Sequence, residues 1–260
     1  MAFPVSVQGS PGQDKEMTSG KKHRLGTRMQ FADGRVFYYG KSGEAVTAGK
    51  VAMMKTPNAD HITDLAVASA ASVGDTQLSI TNGGTTAVTG SGRYTGDFTT
   101  EGTLVDGYLF VNDSGAGTGE GQTFQIQDHS TAATGAAITI DLYPNDSVRT
   151  ALTTDSQVGI SVSIYSATEV WDVNDIDGVL VGVPTCDQTS GYYGWYQTAG
   201  PCAVLTNGTV VLGKNVMTGS TTDGSVDVMA DDSSAEFLVG GVIHVAATTE
   251  YSLVDLQIRY

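Results

Sequence analysis

Several residue groupings in the chain have the right types for chemistry, and their spacing decides what each could do. Gly40-Lys41-Ser42 offers a lysine and a hydroxyl for phosphate binding, but the earlier glycine that a phosphate loop requires would fall at Arg35. Gly115-Ala-Gly-Thr-Gly-Glu-Gly121 has the glycines of a dinucleotide fingerprint without an apolar helix after it, and reads as a flexible loop. Asp172-Val-Asn-Asp-Ile-Asp-Gly178 resembles a calcium loop in composition, yet no register supplies alternating ligands and a closing glutamate. The four histidines, His23, His61, His129 and His244, fall in separate segments with no i, i+4 pairing and no cysteine nearby, so no metal site is expected. Cys186 lacks the local context of a nucleophile, and no Gly-x-Ser-x-Gly elbow occurs. Paired carboxylates could meet in a cleft, but spacing gives that no support. No catalytic residue and no cofactor is expected, and the chain does not read as an enzyme.

What remains are two groups suited to contact rather than turnover. Tyr192, Tyr193, Trp195 and Tyr196 form an aromatic run that either packs a core or presents a subunit or partner contact surface. Lys21, Lys22, Arg24, Arg28 and Arg35 are a basic group near the N-terminus. Cys186 and Cys202 are too few for a disulfide scaffold; they are either reduced thiols or one bridge between neighbouring strands.

The charge around these groups is uneven. The 260 residues carry a formal charge of -15. Residues 1 to 55 hold nine of the 13 basic residues and four acids, a net +5, and the rest of the chain is -20. An acidic body repels phosphate, so no nucleic-acid partner is expected. Ala235 to Ala247 is too short and too polar to span a membrane, and no secretory leader is visible at Met1-Ala-Phe-Pro-Val-Ser.

The elements that must position the two groups are strands. Gly and Thr, 33 of each, fill a quarter of the chain; glycine weakens helices and the β-branched threonine suits strands. Period-two alternation marks 122–127, 137–142 and 157–165; further strands are expected at 35–39, 51–54, 76–80, 107–111, 179–183, 209–212, 225–229 and 239–245. Asp33-Gly34 and Asn207-Gly208 carry hairpin chemistry. A short helical turn is admitted only at 146–152. The expected fold is all-β, with short-stranded antiparallel sandwich or barrel domains and a flexible basic N-terminal arm. Residues 1–28 would be the extended arm, residues 29–60 and 166–260 a β domain formed from both chain ends, and residues 61–165 a middle β domain.

Three stretches carry a resemblance. Phe31-Ala-Asp-Gly-Arg-Val-Phe-Tyr-Tyr-Gly40 with Ala48-Gly49-Lys50 is the first, and Gly107-Tyr-Leu-Phe-Val-Asn-Asp113 with Gly119-Glu-Gly-Gln-Thr-Phe-Gln-Ile126 the second. The third comprises Gly182-Val183, Tyr193-Gly-Trp-Tyr-Gln197, Gly200-Pro201, Val204-Leu205, Gly213 and Asp223-Gly224-Ser-Val226. Together, from about residue 25 to 230, they resemble head decoration (cement) proteins of tailed bacteriophages. The resemblance implies a structural virion protein without a catalytic site, made in the bacterial host cytoplasm and bound as a homotrimer to the capsid exterior. There it would bridge the major capsid protein lattice. On that reading the five basic residues are the capsid-binding set. A tail or receptor-binding β module stacking sugar on Trp195 and its neighbouring tyrosines is the alternative.

Overall fold

The computed structural model describes residues 6–54, 62–81, 100–113, 117–132, 136–174, 178–229, 237–247 and 250–259. Strands appear wherever apolar and polar residues alternate between turn residues, because successive side chains on a strand point to opposite faces and one face must be buried. In chain order they are β1 (Ser6–Gln8), β2 (Arg28–Gln30), β3 (Val36–Lys41), β4 (Ala52–Met54), β5 (Ile62–Ala66), β6 (Gln77–Thr81), β7 (Tyr108–Asp113), β8 (Thr123–His129) and β9 (Ala137–Leu142). There follow β10 (Gln157–Ser161), β11 (Thr168–Val170), β12 (Leu180–Pro184), β13 (Tyr193–Leu205), β14 (Asn215–Thr218), β15 (Val226–Val228), β16 (Leu238–His244) and β17 (Tyr251–Gln257). One 3-10 turn, Gln13–Lys15, is the only helical element among the described residues, and no helix is long and apolar enough to cross a membrane. The protein is all-β.

The chain forms two compact units, residues 1–56 with 164–260 and residues 57–163. In the first, strands run in the order β1-β2-β3-β13-β17-β16-β14-β15, with β4, β11 and β12 pairing beside them. Its pairings are antiparallel apart from β1 with β2. β13 is its spine. Residues 193–199 of β13 pair with β3, and residues 199–205 pair with β17. Gly200 between them takes φ 85°, a left-handed conformation that favours glycine, and a register shift sits beside it. Residues 194–199 are buried, whereas Pro201 and Ala203 leave one side of the second half open.

In the second unit the order is β5-β10-β7-β8-β9-β6. Its pairings are antiparallel throughout. A bridge between Val67 and Ile80, and an Ala68 N–H to Ser79 carbonyl bond of 2.8 Å, bring the two ends of the sheet together. The sheet is therefore curled round its own core. That core is aliphatic, with Leu78, Ile80, Leu109, Ile126, Ile138, Ile140 and Ile160 around a single Phe124.

The structure departs from the sequence reading in four places. Residues 6–28, expected as an arm, are drawn onto the first unit: β1 lies parallel to β2, Gly9 N–H bonds the Gln30 carbonyl at 2.8 Å, and Asp14 is buried. Asn207-Gly208 makes no hairpin. Val211 and Leu212 after it are exposed and outside any strand. The Asn207 side chain instead donates to Thr221 Oγ1 at 2.5 Å and Asp227 Oδ2 at 3.2 Å, tying down the 220–227 turn. Residues 146–152 form no helical turn; Val148 N–H bonds the Asp75 carbonyl and Leu152 N–H the Ala71 carbonyl, both at 2.9 Å, so the segment pairs across rather than with itself. The aromatic run, for which no strand was expected, is from Tyr193 the start of one thirteen-residue strand that continues to Leu205.

Candidate basic and aromatic surface

The two groups suited to contact meet in the first unit. The Asp33-Gly34 turn, with Gly34 at φ 91°, closes a hairpin between β2 and β3. β3 brings Tyr39 opposite Trp195 of β13, and Lys41 opposite Tyr193. The Tyr39 ring is the hub: it stacks on Tyr193 at 5.9 Å and meets Trp195 edge-on at 5.0 Å. His23 closes the cluster, 5.1 Å from Tyr39 and 5.3 Å from Trp195. Lys41 holds its ammonium 5.7 Å above the Tyr193 ring, a cation–π placement.

The 19–27 segment is stitched to this bed by its backbone. Lys22 N–H donates to the Tyr39 hydroxyl at 3.0 Å, Gly26 N–H to the Tyr39 carbonyl at 2.8 Å, and Tyr39 N–H to the Thr27 carbonyl at 3.0 Å. Upstream, Thr18 and Tyr193 exchange both N–H···O bonds at 2.9 and 2.8 Å. Lys21, Lys22 and Arg24 are exposed residues of this segment. The loop is a cationic ridge on an aromatic footing.

Arg28 and Arg35 differ from these three. Arg28 is half-buried and donates to Gln30 Oε1 at 2.9 Å. Arg35 is bound up within the fold: Nε donates to Asp33 Oδ2 at 2.8 Å, Nη1 lies 3.5 Å from Asp14 Oδ2, and the guanidinium sits 4.8 Å over the Phe31 ring. Hydrogen bonds from the Arg35 backbone N–H and then its side chain hold the Asp33 carboxyl below the usual carboxylate range. Arg35 thus pins the start of β3 and the 3-10 turn.

The aromatic run divides as well. Trp195 and Tyr196 are 1 % and 0 % exposed, so neither ring offers a face to a partner or a sugar; Tyr192 is exposed and Tyr193 half-buried. Tyr196 is held by hydroxyls, 2.6 Å from Ser42 Oγ and accepting from Thr168 Oγ1 at 2.5 Å. Burial pushes its phenol above the ordinary value. Tyr39, His23 and Lys41, which complete the surface, were not singled out for this role; the sequence signal was a strand of aromatics in the same segment that carried the basic residues.

Among the described residues the remaining motifs form no site. Gly40 and Lys41 lie within β3, so no phosphate loop exists there. In the 172–178 stretch the Asp172 carboxylate caps Asn174 N–H at 2.7 Å, and residues 175–177 lie outside the described residues, as do 115 and 116 of the glycine loop. His129 is buried, accepting the Leu104 N–H at 3.3 Å; His244 is exposed on β16, and His61 lies outside the described residues. Among the described residues, no group of three or more His, Cys, Asp or Glu could hold a metal ion. Cys186 and Cys202 are free thiols, and burial pushes Cys202 up to about 12. A cavity of about 340 Å³ is lined by Pro11, Gly12, Lys15 and Cys202 together with the Arg35–Asp14 pair. No family model, curated protein or solved structure matches the chain.

Proposed function

We propose that this chain is a structural virion protein that binds the exterior of a tailed-phage capsid and bridges neighbouring copies of the major capsid protein, working as a homotrimer. The observation that carries the reading is the ridge of exposed Lys21, Lys22 and Arg24, on a segment whose Lys22 and Gly26 N–H groups are tied to the Tyr39 bed. On a chain of charge -15, three exposed basic residues within four positions are the natural contact for an acidic neighbour. A preordered ridge also gives up little conformational entropy on docking, which favours binding. The decoration-protein resemblance supplies the identity of that neighbour, and many weak copies on one shell act together by avidity. Arg28 flanks the ridge. Arg35 serves the fold, through its pairs with Asp33 and Asp14.

The test is co-sedimentation of the purified chain with expanded capsid shells lacking it, across a salt series. Saturable binding that weakens with salt, and shells that then survive higher temperature, are expected. Replacing Lys21, Lys22 and Arg24 together by Ser should lower occupancy and flatten the salt dependence. Unchanged occupancy of that variant would remove the ridge from the contact, and absence of binding by the unaltered chain would end the capsid reading.

A further inference from the structure

The second unit carries a different kind of surface. β7 turns Leu109 and Val111 into the core and Tyr108 and Phe110 outward, 48 % and 37 % exposed. Two residues apart on one strand, their Cα atoms are about 7 Å from one another. Phe110 faces Gly159 on β10. A Cβ on Gly159 would lie 2.4 to 2.8 Å from three atoms of the Phe110 ring. The missing side chain therefore lets the ring recline across the neighbouring strand, with one face on the sheet and the other toward solvent.

The positions opposite the two rings are uncharged. Ser161 and Gln125 flank Tyr108, and Gly159 and Thr123 flank Phe110. Aromatic faces bordered by hydroxyl and amide side chains are what a pyranose needs: its C–H face stacks on a ring while its hydroxyls exchange hydrogen bonds at the border. Charge narrows the class further. Residues 57–163 contain two basic residues against twelve acids, a net -10, with no lysine. That field turns away anionic polymers. A basic peptide would need carboxylates opposite the rings, where Ser161, Gln125, Gly159 and Thr123 stand instead; farther along β7, the Asn112 amide donates to the Asp64 carboxylate.

The geometry points to the outer face of β7, centred on Tyr108 and Phe110, as a binding site for an uncharged polysaccharide. This is independent of the capsid reading, since it uses the other unit and no basic residue.

Affinity electrophoresis of the full chain in native gels containing dextran, galactomannan or mixed-linkage β-glucan tests it. Retardation is expected in at least one of these, indifferent to salt. Tyr108→Ser should weaken it roughly tenfold, about the contribution of one stacked ring, while Tyr108→Phe keeps it. Both variants should keep the unaltered melting temperature and capsid co-sedimentation, because Tyr108 lies outside the core. Absence of retardation in all three gels, unaltered retardation of Tyr108→Ser, or a retardation that salt abolishes would each overturn the proposal.

Discussion

The two units solve the same problem, covering one face of a sheet, with different side chains. The second is built from one continuous stretch and filled with aliphatic residues, which alternate with half-buried or exposed ones along β6 and β9. The first is assembled from both ends of the chain, and the part around β3 is filled by Phe31, Phe37, Tyr39, Tyr165, Trp195 and Tyr196. Aliphatic side chains fill a curled sheet without needing partners for polar atoms. Aromatic ones bring hydroxyl and indole groups that must be satisfied, and here those groups also fasten chain segments: the Tyr39 hydroxyl takes the Lys22 N–H and the Trp171 indole donates to the Gly219 carbonyl. In this way the aromatic unit carries the irregular 19–27 segment.

The comparison can be broken most sharply at the two cores. Trp195→Ala should cost about 3–5 kcal/mol and Leu109→Ala about 2–5 kcal/mol. Urea unfolding followed by tryptophan emission reads the first unit, which contains both Trp171 and Trp195. If each unit depends on its own core, Trp195→Ala shifts that transition and Leu109→Ala leaves it in place; equal shifts would show one shared transition.

High pH should also act on the first unit. The Cys202 thiol is raised from its ordinary 9.0 to about 12 by burial, so the folded state holds its proton more tightly than the unfolded state. Its contribution is complete below pH 9 and is lost as pH rises from 9 toward 12, at about 1.4 kcal/mol per pH unit. Unfolding midpoints across that range should fall, and Cys202→Ser, which cannot ionise there, should flatten the decline; an unchanged slope would assign the decline to other groups.

A smaller effect is expected at Gly240, where an added Cβ would meet the Asp255 carbonyl oxygen. Gly240→Ala should cost about 1–3 kcal/mol through overpacking against a neighbouring strand's backbone, measured as a lower denaturant midpoint. Asp14→Asn keeps the shape of the buried side chain and leaves Arg35 its Asp33 partner, so it should cost about 1 kcal/mol. A larger loss would show that the 3-10 turn depends on the Asp14 charge.

Much of the strand content was legible because alternation is a local property. Residues 123–129 and 137–142 bury every second residue over most of their length, and both stand where the pattern placed them. β17 was missed although Ser252, Val254 and Leu256 alternate inward just as plainly; its signal was there to be used. The length of β13 was not legible, since Gly200-Pro201 reads locally as a turn and becomes strand only between two neighbours. Nor was the division of the aromatic run. Whether Trp195 faces a core or a partner depends on what covers each side of its strand, and the covering residues, His23 and Tyr39, lie far away in sequence. The Asn207-Gly208 signal misled for a related reason: Asn207 N–H bonds the Val226 carbonyl at 2.9 Å, a distant partner that outweighs the local turn preference.

The pairing of β3 with β13 has a consequence in time. A ribosome adds about 5–20 residues per second, so on the order of ten seconds separate the synthesis of Tyr39 from that of its partner Trp195. During that interval Phe31, Phe37 and Tyr39 have no sheet to join, whereas the whole of the second unit has been made. The newborn chain thus passes through a stage with one finished core and a stranded aromatic hairpin, and it is in that stage that the chain has most to gain from a chaperone's shelter.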